Sequence, residues 1–371
     1  MRVLLIHNEA NYFGGAEKVL GYFLAGMADP GCEISVAAVP SSRVMTLIPA
    51  SMKRAAISEN GRFSALRLCQ QARTLLNLRR QFAFDLVHGW AARDWELSAL
   101  VGRLARRPAV GTLHDHPEAS FITPARRRLM RWSAAWGLRQ VVCVSAAVSA
   151  ACLRAGYPAG KLAVVHNGLP AVLGAPRTAP AGVCRLAYLG VFSERKGLRG
   201  LFAAVAELAR LTSLPWELKL AGGPQDGAGE QLLADLRRQY SQASWWQQVH
   251  WCGWVEQPQH FLSTVDLLLV PSSEFDPLPT VLLEAGQAGV PTVAARVGGV
   301  EEIICDGRTG WLFESGNWAQ AARILADLAA NPTAVRTAGE EAMRRIAAEF
   351  TLTRMVAKYV EIYSNMCGHA Y

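Results

Sequence analysis

Glu284 stands in an apolar segment where a carboxylate needs specific partners. It is the only charged residue between Pro277 and Ala295, and the residues around it are mostly aliphatic. A carboxylate buried among such side chains is costly unless hydrogen-bond donors satisfy it. The vicinal hydroxyls of a ribose can donate to both of its oxygens. The pattern indicates a ribose-binding residue, and the alternative is a glutamate on one solvent-facing edge of the helix.

A second carboxylate, Asp276, precedes this glutamate by eight positions. Asp followed by Pro is a common helix start, with Asp276 as the N-cap and Pro277 as the first helical residue. The alternative is a carboxylate that lies near sugar hydroxyls. In either case the helix N-terminus offers free N–H groups to a diphosphate. Pro279 has no N–H, so Thr280 and Val281 are the expected donors.

Other phosphate- and base-binding candidates follow apolar strands of the second half. Arg195 and Lys196 come after the run LGVFSE, and two cations at the carboxyl end of a strand can neutralise a pyrophosphate. The alternative for this pair is a solvated helix start. Gly223 lies in a glycine turn, and Val255 ends the segment Gly253–Val255, whose main chain can contact a nucleobase. Both segments are also consistent with ordinary turns.

In the first half, glycines and histidines follow two strands. Gly14 and Gly15 open a helix after the first strand, where glycine lets the backbone approach a ligand closely. The spacing is not GxGxxG, so it does not predict a dinucleotide site. His114 directly follows another strand, and we interpret it as a functional residue, with His116 as a loop histidine. A His-x-His metal site needs further ligands, for which no candidates stand out.

The charge of the chain is concentrated in its first half. Residues 1–170 carry 21 Lys and Arg against 10 Asp and Glu, whereas residues 171–371 carry 17 against 20. The segment Ala125–Arg139 reads ARRRLMRWSAAWGLR, and Leu129, Trp132 and Trp136 fall near one helical face. Such a helix is typical of contact with an anionic membrane surface, and the alternative is an ordinary amphipathic surface helix. No nucleic-acid motif accompanies the charge, so we do not predict nucleic-acid binding.

Short apolar strands alternate with longer helical patterns, which predicts an α/β fold with parallel sheets. The predicted strands are Val3–His7, Ile34–Val39, Leu86–His88, Val110–Leu113, Val141–Val144, Ala163–Val165, Arg185–Leu189, Glu217–Ala221, Val249–Cys252, Leu267–Val270, Thr292–Ala294 and Trp311–Phe313. The predicted helices include Gly15–Met27, Ser64–Arg80 and Ser145–Ala155, and later ones near 198–211, 229–240, 280–288, 300–305, 317–330 and 333–348. Pro, Ala and Gly dominate 169–182, which predicts a linker.

These elements predict two doubly wound, Rossmann-like domains, 1–170 and 183–350, that face one another across a cleft. Ligands of such sheets bind beyond the carboxyl ends of the strands.

No run of about 18 uncharged apolar residues predicts a membrane span. The apolar start of the chain is too short for a signal sequence. Eight cysteines without CxxC spacing favour reduced thiols in a cytosolic protein.

Taken together, segments spread over nearly the whole chain resemble one known family. They are GGAEKVL (Gly14–Leu20), VSAAV (Val144–Val148), VVHNGL (Val164–Leu169), RKG (Arg195–Gly197), LAGGP (Leu220–Pro224), GWV (Gly253–Val255), the run Pro271–Ala294, the run Val297–Phe313 and the ending Glu349–Tyr363. In this order they resemble the GT-B glycosyltransferases of family 4, the glycosyl transferases group 1. The resemblance implies the GT-B fold, in which a last helix, here about 353–371, often packs back on the first domain.

The resemblance also implies a retaining transferase that uses a nucleotide-sugar donor and needs no metal or other cofactor. It implies that Lys196 holds the donor diphosphate, Glu284 the ribose, and that His114 lies near the reacting sugar. Asp276 takes the first position of the family's Glu-x7-Glu pair and is one methylene shorter. Val191 stands where many members have arginine. In the front-face mechanism of this family the leaving phosphate assists deprotonation of the acceptor, so stabilising that phosphate is the main demand.

We expect the acceptor to be a glycan or a lipid-linked glycan of bacterial-type surface polysaccharide or lipopolysaccharide biosynthesis. The basic, tryptophan-bearing helix favours an acceptor at a membrane. The expected location is cytoplasmic, peripheral on the inner face of the cell membrane through Arg126–Arg139. Two alternatives are a GT-B sugar-nucleotide epimerase and a non-catalytic sugar-nucleotide-binding subunit.

Overall fold

The computed structural model describes residues 1–10, 13–27, 32–58, 64–78, 82–171 and 182–368. They form two compact units, Met1–Pro170 with Thr351–Tyr371, and Ala171–Phe350. Each unit is built on one parallel β-sheet, so the predicted α/β class is confirmed. Residues 172–181 of the linker predicted at 169–182 lie outside the described residues, as does the end of the helix predicted at Ser64–Arg80.

The first unit contains a seven-stranded sheet in the order β3-β2-β1-β4-β5-β6-β7. Its strands are β1 (Arg2–His7), β2 (Glu33–Ala38), β3 (Lys53–Ala56), β4 (Leu86–Gly89), β5 (Ala109–Leu113), β6 (Gln140–Cys143) and β7 (Leu162–Val164). Its helices are α1 (Gly15–Gly26), α2 (Val44–Leu47), α3 (Ala65–Asn77), α4 (Trp95–Ala105), α5 (Pro124–Trp136), α6 (Ala146–Arg154) and α14 (Leu352–Cys367). All six strands predicted in this half are present.

The second unit contains a six-stranded sheet in the order β10-β9-β8-β11-β12-β13. Its strands are β8 (Cys184–Leu189), β9 (Trp216–Ala221), β10 (Val249–Gly253), β11 (Leu267–Val270), β12 (Thr292–Ala295) and β13 (Gly310–Phe313). Its helices are α7 (Leu198–Leu211), α8 (Gly227–Tyr240), α9 (Pro258–Ser263), α10 (Thr280–Gln287), α11 (Val300–Ile303), α12 (Trp318–Ala329) and α13 (Pro332–Glu349). Every strand predicted in this half is present.

Both sheets have a point where the strand order reverses. In the first sheet β2 and β3 extend to one side of β1, and β4 to β7 extend to the other. In the second sheet β9 and β10 lie on one side of β8, and β11 to β13 lie on the other. Loops leave such a point in opposite directions and open a crevice at the carboxyl ends of the two central strands. These positions, β1/β4 and β8/β11, are therefore where each unit can bind a ligand.

Helix α14 follows the second unit in the chain but packs in the core of the first. Its Tyr359 and Tyr363 are fully buried there. The Tyr363 hydroxyl lies 2.7 Å from Nδ1 of His88, and the Tyr359 hydroxyl lies 3.1 Å from Oγ1 of Thr112. Thr112 Oγ1 also lies 2.8 Å from Nε2 of His88, which joins β4, β5 and α14 in one buried network. Burial lowers the pKa of His88 to about 3, so the ring is neutral.

Candidate functional site

Lys196 and Asp276 meet at the reversal point of the second sheet. Lys196 lies in the loop after β8, and Asp276 lies in the loop after the neighbouring strand β11. Nζ of Lys196 is 2.6 Å from Oδ2 of Asp276. The Lys196 side chain is 25% exposed and that of Asp276 only 6%, so the cation faces outward from a buried carboxylate. A buried ion pair of this kind stays intact because each charge compensates the desolvation of the other.

The surroundings of Asp276 show why this carboxylate is fixed in place. Oγ of Ser272 donates a hydrogen bond of 3.1 Å to the oxygen that also binds Lys196. The N–H of Gly299 donates to the Asp276 carbonyl at 2.9 Å. Gly298 has φ +55°, and a Cβ there would lie 2.0 Å from the same carbonyl oxygen. The glycine pair in front of α11 therefore allows the main chain to close over Asp276.

The interpretation of Asp276 as a helix N-cap is wrong. Helix α10 begins at Thr280, its N-cap is Pro279, and no side chain caps it. The local Asp-Pro signal is overridden by the ion pair with Lys196, which the strand order of the sheet makes available. Thr280 and Val281 are the first two residues of α10 and are half-buried, so the expected N–H donors do lie at the helix start.

Glu284 lies on α10, one turn beyond these donors. It is 4% exposed, and Leu282, Leu283 and Ala285 beside it are buried as well. The alternative of a solvent-facing glutamate is therefore wrong. A buried carboxylate near a helix start at the carboxyl edge of the sheet can accept hydrogen bonds from vicinal hydroxyls.

Glycine turns shape the rest of this edge. Gly222 has φ +126°, and a Cβ there would lie 1.9 Å from the carbonyl oxygen of Gly190. Gly197 has φ +74°, and a Cβ there would lie 1.8 Å from the carbonyl oxygen of Pro271. The loops after β8, β9 and β11 thus touch one another through their main chains, which only glycine permits at these two positions.

The remaining predicted donor residues, Arg195, Gly223 and Val255, lie in the loops after β8, β9 and β10. Arg195 is half-buried, and its carbonyl accepts a hydrogen bond from the N–H of Ser273 at 3.1 Å. A Cβ on Gly223 would lie 2.8 Å from Nε1 of Trp254, whose side chain is 59% exposed. Val255 follows and is half-buried. The structure therefore brings the predicted residues of the second half to one sheet edge, and adds the side chain of Ser272.

The first unit places its two candidate glycines after β1, at the β1/β4 reversal point. Gly14 precedes α1 and Gly15 is its first residue, which is exposed. The N–H of Gly14 donates to Oε2 of Glu17 at 2.8 Å, so this glutamate holds the glycine turn. Oε1 of Glu17 lies 3.4 Å from Nε2 of His7, which is completely buried. This His7–Glu17 pair was not predicted, although an acidic residue facing an apolar helix interior is a signal that could have revealed it.

Charges around the His7–Glu17 pair favour its ionised form. Burial alone lowers the pKa of His7, but the hydrogen bond with Glu17 and the charges of Asp94, Glu17 and Glu9 outweigh it, so the pKa lies above its ordinary value. Burial alone raises the pKa of Glu17, but the hydrogen bonds with His7 and Gly14 outweigh it and lower the pKa. Both shifts favour the imidazolium–carboxylate form of the pair beneath the glycine turn.

His114 follows β5, next to Trp90. The two ring centroids are 5.1 Å apart, and the Trp90 indole N–H donates to the carbonyl of Ala16 at 3.0 Å. His114 is half-buried, and burial lowers the pKa of its ring to about 4, so the ring is neutral. His116 lies further along the loop, where Nδ1 accepts the N–H of Glu118 at 3.1 Å, as expected for a loop histidine.

The basic segment Ala125–Arg139 contains α5, and its arginines differ from the prediction. Arg126 forms an ion pair with Glu96 at 2.7 Å, and Arg127 donates to the carbonyls of Ile122 and Ala119. Arg131 donates to the carbonyl of Ala155. Three of the five predicted membrane-facing arginines therefore bind their own chain, because they lie on the helix sides that face the unit.

The exposed side of α5 carries two stacked tryptophans. Trp132 and Trp136 are 53% and 41% exposed, and their ring centroids are 4.6 Å apart. The guanidinium of Arg103 lies 4.3 Å from the Trp136 ring centroid. Arg128 and Arg139 are exposed beside the tryptophans. We call these five residues the α5 surface.

Two negative findings concern the described residues alone. Within the ranges given above, no group of three or more His, Cys, Asp or Glu side chains is placed to hold a metal ion. Across the same part of the chain, no helix is long and apolar enough to cross a membrane.

Two family models match the chain, Glycosyltransferase Family 4 over residues 13–171 and Glycosyl transferases group 1 over residues 179–345. The chain belongs to the glycosyltransferases of family 4. The predicted family is therefore confirmed, and this family-4 chain is a transferase enzyme with the two-sheet GT-B fold.

Named relatives of this family-4 chain agree with that assignment. It is 24% identical over 305 residues to a glycogen synthase of Mycobacterium tuberculosis, covering 78% of this chain and 70% of the relative. It is 26% identical over 186 residues to the lipopolysaccharide core biosynthesis glycosyltransferase LpsE of Rhizobium meliloti, covering 50% and 51%. The crystal structure of Anabaena HepE in complex with UDP and glucose superposes with a TM-score of 0.84 at 20% identity, covering 98% and 100% of the two chains.

Proposed function

We propose that this family-4 enzyme is a retaining transferase that moves a sugar from a nucleotide-sugar donor without a metal. The observation that carries the proposal is the edge of the second sheet. There Lys196 forms an ion pair with the buried Asp276, and Glu284 is buried near the start of α10. A cation and free N–H groups suit a diphosphate, and a buried carboxylate suits a ribose diol.

In this proposal the residues divide the work of binding and of stabilising the leaving group. Lys196, Arg195 and the first N–H groups of α10 stabilise the charge that develops on the departing diphosphate. Glu284 orients the ribose, and the main chain near Val255 contacts the base. His114 in the first unit binds a hydroxyl of the transferred sugar. Because the leaving phosphate itself assists deprotonation of the acceptor hydroxyl, no second carboxylate base is required.

We further propose a UDP-sugar as the donor and a glycan or lipid-linked glycan of surface polysaccharide or lipopolysaccharide biosynthesis as the acceptor. The solved HepE complex supports the choice of base, and the relative LpsE supports the choice of acceptor. The α5 surface favours an acceptor presented at an anionic membrane, because indole rings and guanidinium groups bind the interface of such a bilayer.

A thermal-shift panel of UDP-, GDP-, ADP- and dTDP-sugars tests the donor proposal. A donor present at a hundred times its Kd stabilises the protein by about 2.7 kcal/mol, and we expect this for UDP-sugars. The Glu284→Gln variant should lose the shift, whereas Glu230→Gln, an exposed glutamate of α8, should keep it. If no nucleotide sugar binds, or if the bound sugar is epimerised without an acceptor, the proposed transferase is wrong.

A further inference from the structure

We propose that the main-chain N–H of Val191 binds the donor diphosphate, and that Tyr188 is the positioning residue that orients the main chain of Val191 for this contact. The inference rests on the proposed function, because it takes the β8/β11 reversal point as the place where a diphosphate binds. Valine brings no charge to this loop, so its contribution to anion binding comes from the main chain.

The hydrogen bonds on either side of Val191 show that the chain stays extended beyond the end of β8. The N–H of Gly190 donates to the carbonyl of Ala221 at 3.0 Å, and the N–H of Phe192 donates to the carbonyl of Gly223 at 3.0 Å. Both acceptors belong to β9 or to the residues that follow it. The even-numbered residues around Val191 therefore direct their N–H groups toward the β9 side.

The odd-numbered residues face the other neighbour of β8, which is β11. The N–H of Arg185 donates to Oδ2 of Asp266 at 2.9 Å, and the Arg185 carbonyl accepts the N–H of Asp266 at 2.8 Å, just before β11 begins. Strand β8 pairs with β9 in an unbroken register, so this alternation runs along the whole strand. Because successive residues of an extended chain point their N–H groups to opposite edges, the N–H of Val191 points to the β11 side.

Strand β11 does not cover this edge at Val191. Its paired register with β8 ends at Ala187, and after Val270 the chain enters the loop that carries Asp276. Val191 is half-buried, and its N–H has no partner among the described residues. A half-buried N–H needs an acceptor, and an N–H at the carboxyl edge of a parallel sheet suits an oxyanion.

Tyr188 binds the carbonyl of the same residue. Its hydroxyl donates to the Val191 carbonyl at 2.6 Å, and Tyr188 is only 3% exposed. Burial and the negative charge of Asp276 raise the pKa of this hydroxyl, so it stays protonated and remains a donor. A carbonyl without a donor on this edge would repel an oxyanion. The Tyr188 hydroxyl neutralises that repulsion and leaves the Val191 N–H as the group that meets the ligand.

The same contacts fix the direction of the Val191 N–H before a ligand arrives. The peptide group that follows Val191 is held at both ends, its carbonyl by Tyr188 and its N–H by Gly223. The residue before it, Gly190, is held to β9 through its own N–H. A donor that is fixed in advance loses little conformational freedom on binding, which favours affinity.

The direct test is NMR of the full chain labelled with ¹³C at glycine carbonyls and ¹⁵N at valine. This labelling reports the four Gly-Val peptides, 182–183, 190–191, 289–290 and 299–300. The Val191 signal is the one that disappears in Val191→Ile, because isoleucine is unlabelled. UDP should shift this signal, whereas uridine, which has no phosphate, should leave it in place. The signal of Val183, which precedes β8, is the internal control and should not move with either ligand.

Tyr188→Phe supplies the second measurement, because it removes the hydroxyl and keeps the ring. We expect the Kd for UDP to rise by about tenfold and the Kd for uridine to stay within about twofold. The matched control is Tyr157→Phe. Tyr157 is likewise buried, at 4% exposure, and its hydroxyl has no partner in the part of the chain that the structure describes. The control should leave both Kd values unchanged.

The outcomes separate this inference from the proposed function. If UDP raises the Tm of the protein but leaves the Val191 signal in place, only this inference is wrong, even if Tyr188→Phe does not fold. Equal weakening of UDP and uridine binding in Tyr188→Phe also overturns it, because that result indicates a purely structural tyrosine. If UDP does not bind the wild-type protein, the proposed donor and this inference are both wrong.

Discussion

Lys196 Nζ and Asp276 Oδ2 lie 2.6 Å apart although 80 positions separate them in the chain. Their ion pair joins the two loops at the reversal point of the second sheet, because Lys196 follows β8 and Asp276 follows β11. The first sheet has a counterpart, in which Oδ1 of Asp94 after β4 accepts the N–H of Asn8 after β1. In both units a buried carboxylate thus fixes the loop from the neighbouring strand, and in the second unit the group that it fixes is the proposed phosphate-binding cation.

Removing the cation should affect both stability and transfer. Lys196→Met leaves Asp276 buried with Ser272 as its remaining side-chain donor, so we expect a loss of about 2–3 kcal/mol in the free energy of unfolding. Adding Asp276→Asn removes the unpaired charge and should recover most of that stability without restoring sugar transfer. Urea unfolding and a donor-turnover assay separate the two effects. Equal stability of the single and double variants contradicts the pairing.

A methyl group on Gly298 should displace Asp276. The Cβ of Gly298→Ala would lie 2.0 Å from the Asp276 carbonyl oxygen. We therefore expect the free energy of unfolding to fall by about 2–4 kcal/mol and donor binding to weaken. Gly307→Ala is the matched control, because φ is +71° and no atom lies within 4 Å of its Cβ. The control should lose only about 1–2 kcal/mol in the free energy of unfolding, which is the cost of the left-handed backbone conformation for a residue with a Cβ. Equal losses, measured by thermal unfolding, refute the steric argument.

The His7–Glu17 pair predicts a pH-dependent stability. The raised pKa of His7 contributes stability that is fully present below its ordinary value of 6.5 and is lost as the pH rises through the higher folded value. The lowered pKa of Glu17 contributes stability that is present above 4.5 and is lost as the pH falls.

The difference in Tm between wild type and Glu17→Gln should therefore be largest between pH 4.5 and 6.5 and should shrink above that window. Glu33→Gln is the control, because Glu33 and Lys53 form an exposed pair. It should change Tm little at any pH. A difference for Glu17→Gln that grows steadily toward pH 9 rules out the ionised pair.

The α5 surface predicts binding to anionic vesicles. Trp132→Ser with Trp136→Ser should lower partitioning into phosphatidylglycerol-containing vesicles by about tenfold, because both indoles lose their interfacial contact. Leu211→Ser with Leu214→Ser, at 45% and 43% exposure in the second unit, is the matched control. Vesicle sedimentation measures both variants. Membrane binding through the α5 surface is contradicted if the wild-type protein stays in the supernatant. It is also contradicted if the tryptophan variants sediment like wild type.

The central strands could be predicted from the sequence because their apolar runs are uninterrupted. All four residues of β11 are buried, for example. Strand β3 was missed, since only Ala55 of its four residues is buried and an edge strand has no apolar run. The burial of Glu284 was predictable for the same reason as β11, because a single charge stood in an apolar stretch.

The contacts of the site could not be predicted in the same way. The pairing of Lys196 with Asp276 depends on β8 and β11 being neighbours, and strand order is set by the whole sheet rather than by either segment. The segment around Asp94 reads AARDWE and looks like a polar surface turn. Its burial arises because Asn8 and Ala91, from two different loops, both direct their N–H groups at it.

The place of α14 has a consequence for synthesis on the ribosome. The first unit takes Tyr359 and Tyr363 into its core, so the polar groups of His88 and Thr112 lack these partners until residues near 363 have emerged. The second unit is the separate compact unit Ala171–Phe350, and helix α14 is not part of it. The half of the chain that is translated first is therefore the half that completes its folding last.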